Sequence, residues 1–119
     1  MKAVVCKAYG LPESLVIEEV EPPKAGKGQV VISVKACGVN FPDTLIIQGK
    51  YQFKPPLPFS PGSEIAGIVK ELGEGVDHVK IGDRVVVFTG WGGFAEEIVV
   101  DAAQLIPIPK GMDLSLIHI

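Results

Sequence analysis

A chain of 119 residues, 47% of them apolar, is the size of one domain with a core of its own. A net charge of −3 and a pI near 5.3 argue against a nucleic-acid or membrane-surface protein, which would show a basic face. No apolar run approaches the roughly 20 residues that span a bilayer, and the opening Met1-Lys2-Ala3-Val4-Val5-Cys6 reads as a strand, not a signal peptide.

In chain order, residues 2–8 and 15–20 are short and rich in β-branched side chains, and the turn signal Tyr9-Gly10-Leu11-Pro12-Glu13 between them predicts a hairpin. Pro22-Pro23-Lys24-Ala25-Gly26-Lys27-Gly28 reads as a loop. Over residues 29–36, Val30, Ile32 and Val34 alternate with Val31, Ser33 and Lys35, which predicts a strand with one buried face. Residues 43–48 are the one convincing helical stretch, with Pro42 suited to a first helical position and Gly49 to the residue past the end. The proline-rich residues 53–62 predict irregular backbone. Strands are then expected over residues 64–72, 84–88, 93–100 and 104–108. Short strands at this spacing with one short helix indicate a mainly β fold, a small and partly open barrel or sandwich. The strand–helix alternation of a parallel doubly wound sheet is missing.

Two cysteines, Cys6 and Cys37, without a secretion signal predict reduced thiols in a cytoplasmic protein. Gly90-Trp91-Gly92-Gly93-Phe94-Ala95 matches the pattern G-x-G-x-x-A after a strand, with Asp113 about 20 residues on where a ribose-binding acid belongs. A phosphate cradle needs a helix next, so that its N-terminal amides face the pyrophosphate. The run Glu96-Glu97-Ile98-Val99-Val100 favours a strand, and Pro107 and Pro109 spoil the next one, so a glycine-rich turn between strands is the preferred reading. Metal ligands are available in Cys37, Asp43, Glu64, Asp77, His78 and Asp83, yet no two histidines or cysteines stand at short ligand spacing. Packed thiols and solvent-facing His78 and His118 are the simpler reading. Asn40, at the end of an apolar strand, either caps the following helix or offers its amide to a ligand at the barrel rim. Asp43 suits the first helical turn. Glu64, at the mouth of an apolar strand, either has backbone or cationic partners or is poised for chemistry. Trp91 is a loop anchor or a pocket wall.

The ordered runs Gly38-Val39-Asn40-Phe41-Pro42-Asp43, Gly49-Lys50-Tyr51, Leu57-Pro58, Pro61-Gly62-Ser63-Glu64-Ile65-Ala66-Gly67, Gly73-Glu74-Gly75-Val76, Gly82-Asp83-Arg84-Val85 and Gly92-Gly93-Phe94-Ala95-Glu96 resemble the N-terminal catalytic domain of the medium-chain dehydrogenase/reductase superfamily. Within it, the match is to the zinc-independent quinone oxidoreductase, or zeta-crystallin-like, branch. The resemblance implies a GroES-like β-barrel over residues 1–113. It implies that zinc alcohol dehydrogenases carry Cys and His where this chain has Asn40 and Ser63, and that their four-cysteine lobe is absent here. It implies further that Asn40 and Tyr51 face the nicotinamide and substrate cleft, both with catalytic roles and Asn40 also with a cofactor-binding one. Ser63 follows as a weaker cofactor contact, Phe41, Tyr51 and Trp91 as substrate-pocket walls, and Asp43 and Glu64 as positioning residues. Leu45 stands where some relatives have a second tyrosine.

In the family a Rossmann cofactor domain follows and the chain then returns to the first domain. Residues 114–119 leave that pattern and read as a truncated or aberrant tail. The resemblance therefore implies the catalytic-domain fragment of an enzyme that moves hydride from NADPH to a small molecule, a quinone or an enone, without zinc. The fragment alone is predicted inactive. A homodimer is expected of the full-length protein, and self-association of the fragment through its uncovered face. The alternative is a non-enzymatic GroES-like structural or assembly module, whose binding loop could only be residues 53–60.

Overall fold

The structure, a computed structural model, describes residues 1–50 and 54–108. Among these residues, seven strands make up a mainly β fold: β1 (Lys2–Val5), β2 (Val16–Glu19), β3 (Gln29–Cys37), β4 (Glu64–Leu72), β5 (Arg84–Phe88), β6 (Glu97–Asp101) and β7 (Ile106–Pro107). A short helix, α1 (Phe41–Ile46), lies between β3 and β4 in the chain. β1 and β2 form an antiparallel hairpin, and the other five strands form an antiparallel sheet in the order β6-β3-β4-β5-β7. The sheets do not close, as a partly open barrel requires.

The strands follow from their sequences. β4 and β5 have the bounds expected of them, and in each the side chains facing inward (Ile65 and Val69, Val85 and Val87) are buried. They join Val30, Ile32, Ile98 and Val100 in the main core. Burying each such side chain contributes about 1.5–3 kcal/mol. β3 departs from the one-faced alternation expected of it, because Val31 is buried as well as Val30 and Ile32. β3 lies between β6 and β4, and the loop through Pro22, Pro23 and Lys24 lies over Val31 on its outer face.

The other departures have local causes. α1 starts two residues before the expected position, since Asn40 takes the N-cap and Pro42 sits inside the first turn, where its missing N–H costs nothing. Gly49, at φ +70°, follows the helix as the sequence suggested. The strand expected from residue 93 begins at Glu97; before it, Ala95 bridges Ala3, so β1 is stitched to this segment as well as to β2. The strand expected over residues 104–108 shrinks to Ile106–Pro107, because a 3₁₀ turn at Ala102–Gln104 takes up the chain before it.

A second, smaller core holds Cys6, Ile46, Ile47 and Phe59. Cys6 and Phe59 exchange two backbone hydrogen bonds, at 2.7 and 3.1 Å. The proline-rich connection is therefore pinned at Phe59, and Pro55 and Pro61 are buried too. Both cysteines are free thiols. The tail at residues 114–119, His118 and Asp113 lie outside the described residues.

Candidate active site

The end of β3 and the start of β4 are tied by a hydrogen bond from the Gly38 N–H to the Glu64 carbonyl, at 2.8 Å. That tie sets Asn40, two residues beyond Gly38, over the first side chain of β4. The Asn40 Nδ2 donates to Glu64 Oε2 at 2.6 Å. A carboxylate oxygen accepts, so the contact fixes which end of the amide faces Glu64. The Asn40 backbone N–H in turn donates to Asp43 Oδ2 at 2.9 Å, and the two residues form a capping box at the start of α1. Asn40 takes the N-cap of α1, and its amide carries a second N–H beyond the one given to Glu64.

Asp43 is 3% exposed. Its Oδ1 is buried and has no hydrogen-bond partner among the described residues. Cys37, the last residue of β3, lies beside both acids. Its thiol is pushed up to about 11 by burial and, after that, by the negative charges of Asp43 and Glu64. The Cys37 thiol is thus held protonated at neutral pH and is a poor nucleophile. Cys6 is also raised, by burial.

The wall opposite is made by glycines. Gly62 has φ +103°, and a Cβ there would stand 2.7 Å from Phe94 Cδ1 and 2.9 Å from Cys37 Sγ. A Cβ at Gly93 would come 2.6 Å from the same sulfur. The next residue after Gly62, Ser63, is half-buried, and its carbonyl accepts the Thr89 N–H at 2.8 Å. Ser63 and Glu64 are therefore delivered to the rim by a turn that only glycine can make, alongside β5.

Phe41, in the first turn of α1, is 73% exposed, and Val39 and Phe88 are exposed at the same end of the sheet, Phe88 directly opposite Glu64. Trp91 stands apart from this group. It packs edge-on against Phe59, with ring centres 6.3 Å apart, and lines a separate groove with Phe59, Ser60 and Thr89 that Asn40, Phe41 and Ser63 do not line. It is both anchor and wall, but not a wall of the Asn40 site. Tyr51 lies outside the described residues.

The glycine-rich run Gly90–Ala95 leads into strand β6, not into a helix, so it is a turn and not a phosphate cradle. Among the described residues no three His, Cys, Asp or Glu side chains converge to hold a metal. Asp83 closes a turn by accepting from the Lys80 N–H, and His78, exposed, lies 3.0 Å from the Ala102 carbonyl. The Asn40–Glu64 bond and the orphaned Asp43 oxygen are the features that sequence reading does not supply, because both depend on where β3 and β4 meet. The spacing of Asn40 and Asp43 is the one local sign.

Residues 26–110 match the family model of the alcohol dehydrogenase GroES-like domain. The rat quinone oxidoreductase-like protein 2 is 42% identical over 113 residues, 95% of this chain and 32% of that protein. The human synaptic vesicle membrane protein VAT-1 homolog-like protein superposes with a TM-score of 0.91 at 36% identity, over 96% of this chain and 37% of that one. A quinone oxidoreductase of Thermus thermophilus, described also in complex with NADPH, gives 0.80 at 35% identity, over 95% and 34%. The chain spans about a third of the length of the curated relatives it matches. With this fold, this ordered set of turns and these matches, the chain belongs to the alcohol dehydrogenase GroES-like domain family of the medium-chain dehydrogenase/reductase superfamily, among relatives that are quinone oxidoreductase-like proteins.

Proposed function

We propose that this chain is the substrate-side half of an NADPH-dependent reductase of quinones or enones that works without zinc. The Asn40–Glu64 pair carries the reading. Asn40 presents an amide whose donor end is already oriented by Glu64, with Ser63 next to Glu64 at the start of β4; neither side chain is a good zinc ligand. The nicotinamide supplies the hydride when bound. The chain's own part is to hold a carbonyl oxygen or the carboxamide against the second Asn40 N–H, to keep that N–H aimed through Glu64, and to exclude water with Phe41 and the apolar rim. Tyr51 is assigned to the same cleft by the family pattern alone. The described residues provide no strand–glycine-turn–helix to grip a pyrophosphate, so cofactor affinity is assigned to sequence beyond them.

The test is a chimera in which residues 1–108 replace their counterpart in the Thermus thermophilus quinone oxidoreductase. It should oxidise NADPH with a quinone, keep its rate after dialysis against a chelator, and lose rate when Asn40 is replaced by Ala. NADPH fluorescence reports whether the cofactor half is intact. Loss of activity on chelation would overturn the zinc-free reading, and an unaffected Asn40→Ala chimera would overturn the role of the amide. The 119-residue chain alone should show no NADPH oxidation. The exposed Val39, Phe41 and Phe88 support self-association of the bare chain through this face, and sedimentation over a rising concentration series should show it.

A further inference from the structure

β6 is an outer strand of the five-stranded sheet, and its free edge is built to receive another strand. The bonds Val34 N–H to Glu96 carbonyl (2.9 Å) and Ala102 N–H to Gly28 carbonyl (3.0 Å), with the register Val30↔Val100 and Ile32↔Ile98, fix the phase of the ladder. Ile98 and Val100 spend their N–H and C=O on β3. Those of Glu97, Val99 and Asp101 point the other way. Among the described residues, none of these three has a backbone partner on that side.

The edge is not bare surface. A groove of about 560 Å³ runs along it, and all five residues of β6 line it. Side chains of a strand alternate between faces, so only the backbone edge can present five in a row. β1 points along the same line. Its bridge Ala3↔Ala95 and the bond Glu96 N–H to Lys2 carbonyl bring it to the edge at residues 95–96. The Met1 ammonium is taken by Glu19 and the Val20 carbonyl. An incoming strand would continue the row that β1 begins, and its inward side chains would meet Ile98, Val100 and the wall formed by Ala3, Val5 and Phe59.

We propose that this groove is a strand-addition site for an extended polypeptide segment that alternates apolar and basic residues. The charges select the occupant. Glu21 and Asp101 line the groove, and among the described residues no lysine or arginine does; Glu97 lines it too but is already paired with Lys70, which reaches it from the other side of the strand at 2.5 Å. In register, an added strand sets its apolar residues opposite Ile98 and Val100 and its basic residues opposite Glu97, Val99 and Asp101. A second copy of this chain is disfavoured. Two β6 strands paired about Val99 would put Glu97 opposite Asp101 on both sides, and like charges facing each other across a ladder destabilise it.

The test uses the ¹⁵N-labelled 119-residue chain with two capped pentapeptides, Lys-Val-Lys-Val-Lys and Glu-Val-Glu-Val-Glu. The basic peptide should shift and protect the Glu97, Val99 and Asp101 amides, and the acidic one should bind several-fold more weakly. Val99→Pro removes an outward N–H that edge strands can lack, and should abolish binding while the remaining amide spectrum is kept. Asp101→Lys, at an exposed side chain, should narrow or invert the preference between the two peptides. Absence of shifts at millimolar peptide, equal response to both peptides, or concentration-dependent shifts at the β6 edge without peptide would each overturn the proposal.

Discussion

Replacing Gly62 by alanine tests whether the rim of the site is held by backbone geometry. Gly62 is buried at φ +103°, a region that costs a side-chain-bearing residue about 1–3 kcal/mol. The new methyl would also lie 2.7 Å from the Phe94 ring and 2.9 Å from Cys37 Sγ, inside contact distance of both. Overpacking of this kind costs about 1–3 kcal/mol. The sum, about 2–6 kcal/mol, is a large part of the roughly 5–15 kcal/mol of a small domain. With a urea dependence of about 2 kcal/mol per molar, the midpoint should fall by about 1–3 M. Urea unfolding followed by fluorescence of Trp91 measures it. The double variant with Cys37→Ala removes the sulfur contact but neither the Phe94 contact nor the backbone penalty, so it should return part of the loss and no more. An unchanged midpoint for Gly62→Ala, or full recovery in the double variant, would refute the argument.

Asp43→Asn keeps the shape of the cap and removes one of the two charges that raise the Cys37 thiol; the pH at which alkylation of Cys37 reaches half its maximal rate, read by mass spectrometry of its peptide, should fall from about 11 but stay above 9.0, because burial is the larger cause. The same raised thiol makes stability depend on pH. Protonated Cys37 is favoured in the folded chain, so its contribution is fully present below pH 9.0 and is lost as pH rises toward about 11; the urea midpoint should decline over that window, and Cys37→Ala should flatten the decline. Ile32→Ala, at a side chain 0% exposed in the centre of the main core, should cost about 2–5 kcal/mol and be seen as a lowered melting temperature.

The central ladder is legible in the sequence because its signals are local. β4 and β5 keep the bounds that the turn residues beside them predict, Pro61-Gly62 and Gly73 for β4 and Gly82-Asp83 for β5. Helix α1 begins earlier than Pro42 suggests, because Asn40 at the cap and Asp43 three residues on decide its start. β3 reads as one-faced since Ser33 and Lys35 are polar, and nothing near Val31 in sequence announces the loop that covers it. At the site, the residue types at Asn40, Ser63 and Glu64 stand out, but not the bond between Asn40 and Glu64, which spans 24 residues. Chemistry alone groups Trp91 with Phe41; its partner is Phe59, far off in the chain.

The two cores have a consequence for how long the site stays assembled. Asn40 rides on α1, whose Ile46 belongs to the small cluster with Cys6, Ile47 and Phe59, while Glu64 opens a strand of the large one. The amide–carboxylate contact therefore bridges two units of unequal cohesion. Units with fewer buried contacts open more often than the domain as a whole, and when the small one opens the amide swings away with it. The fraction of molecules in which Asn40 and Glu64 are joined is then set in part by residues remote from both, and a change at Cys6 or Phe59 would lower it without touching either side chain.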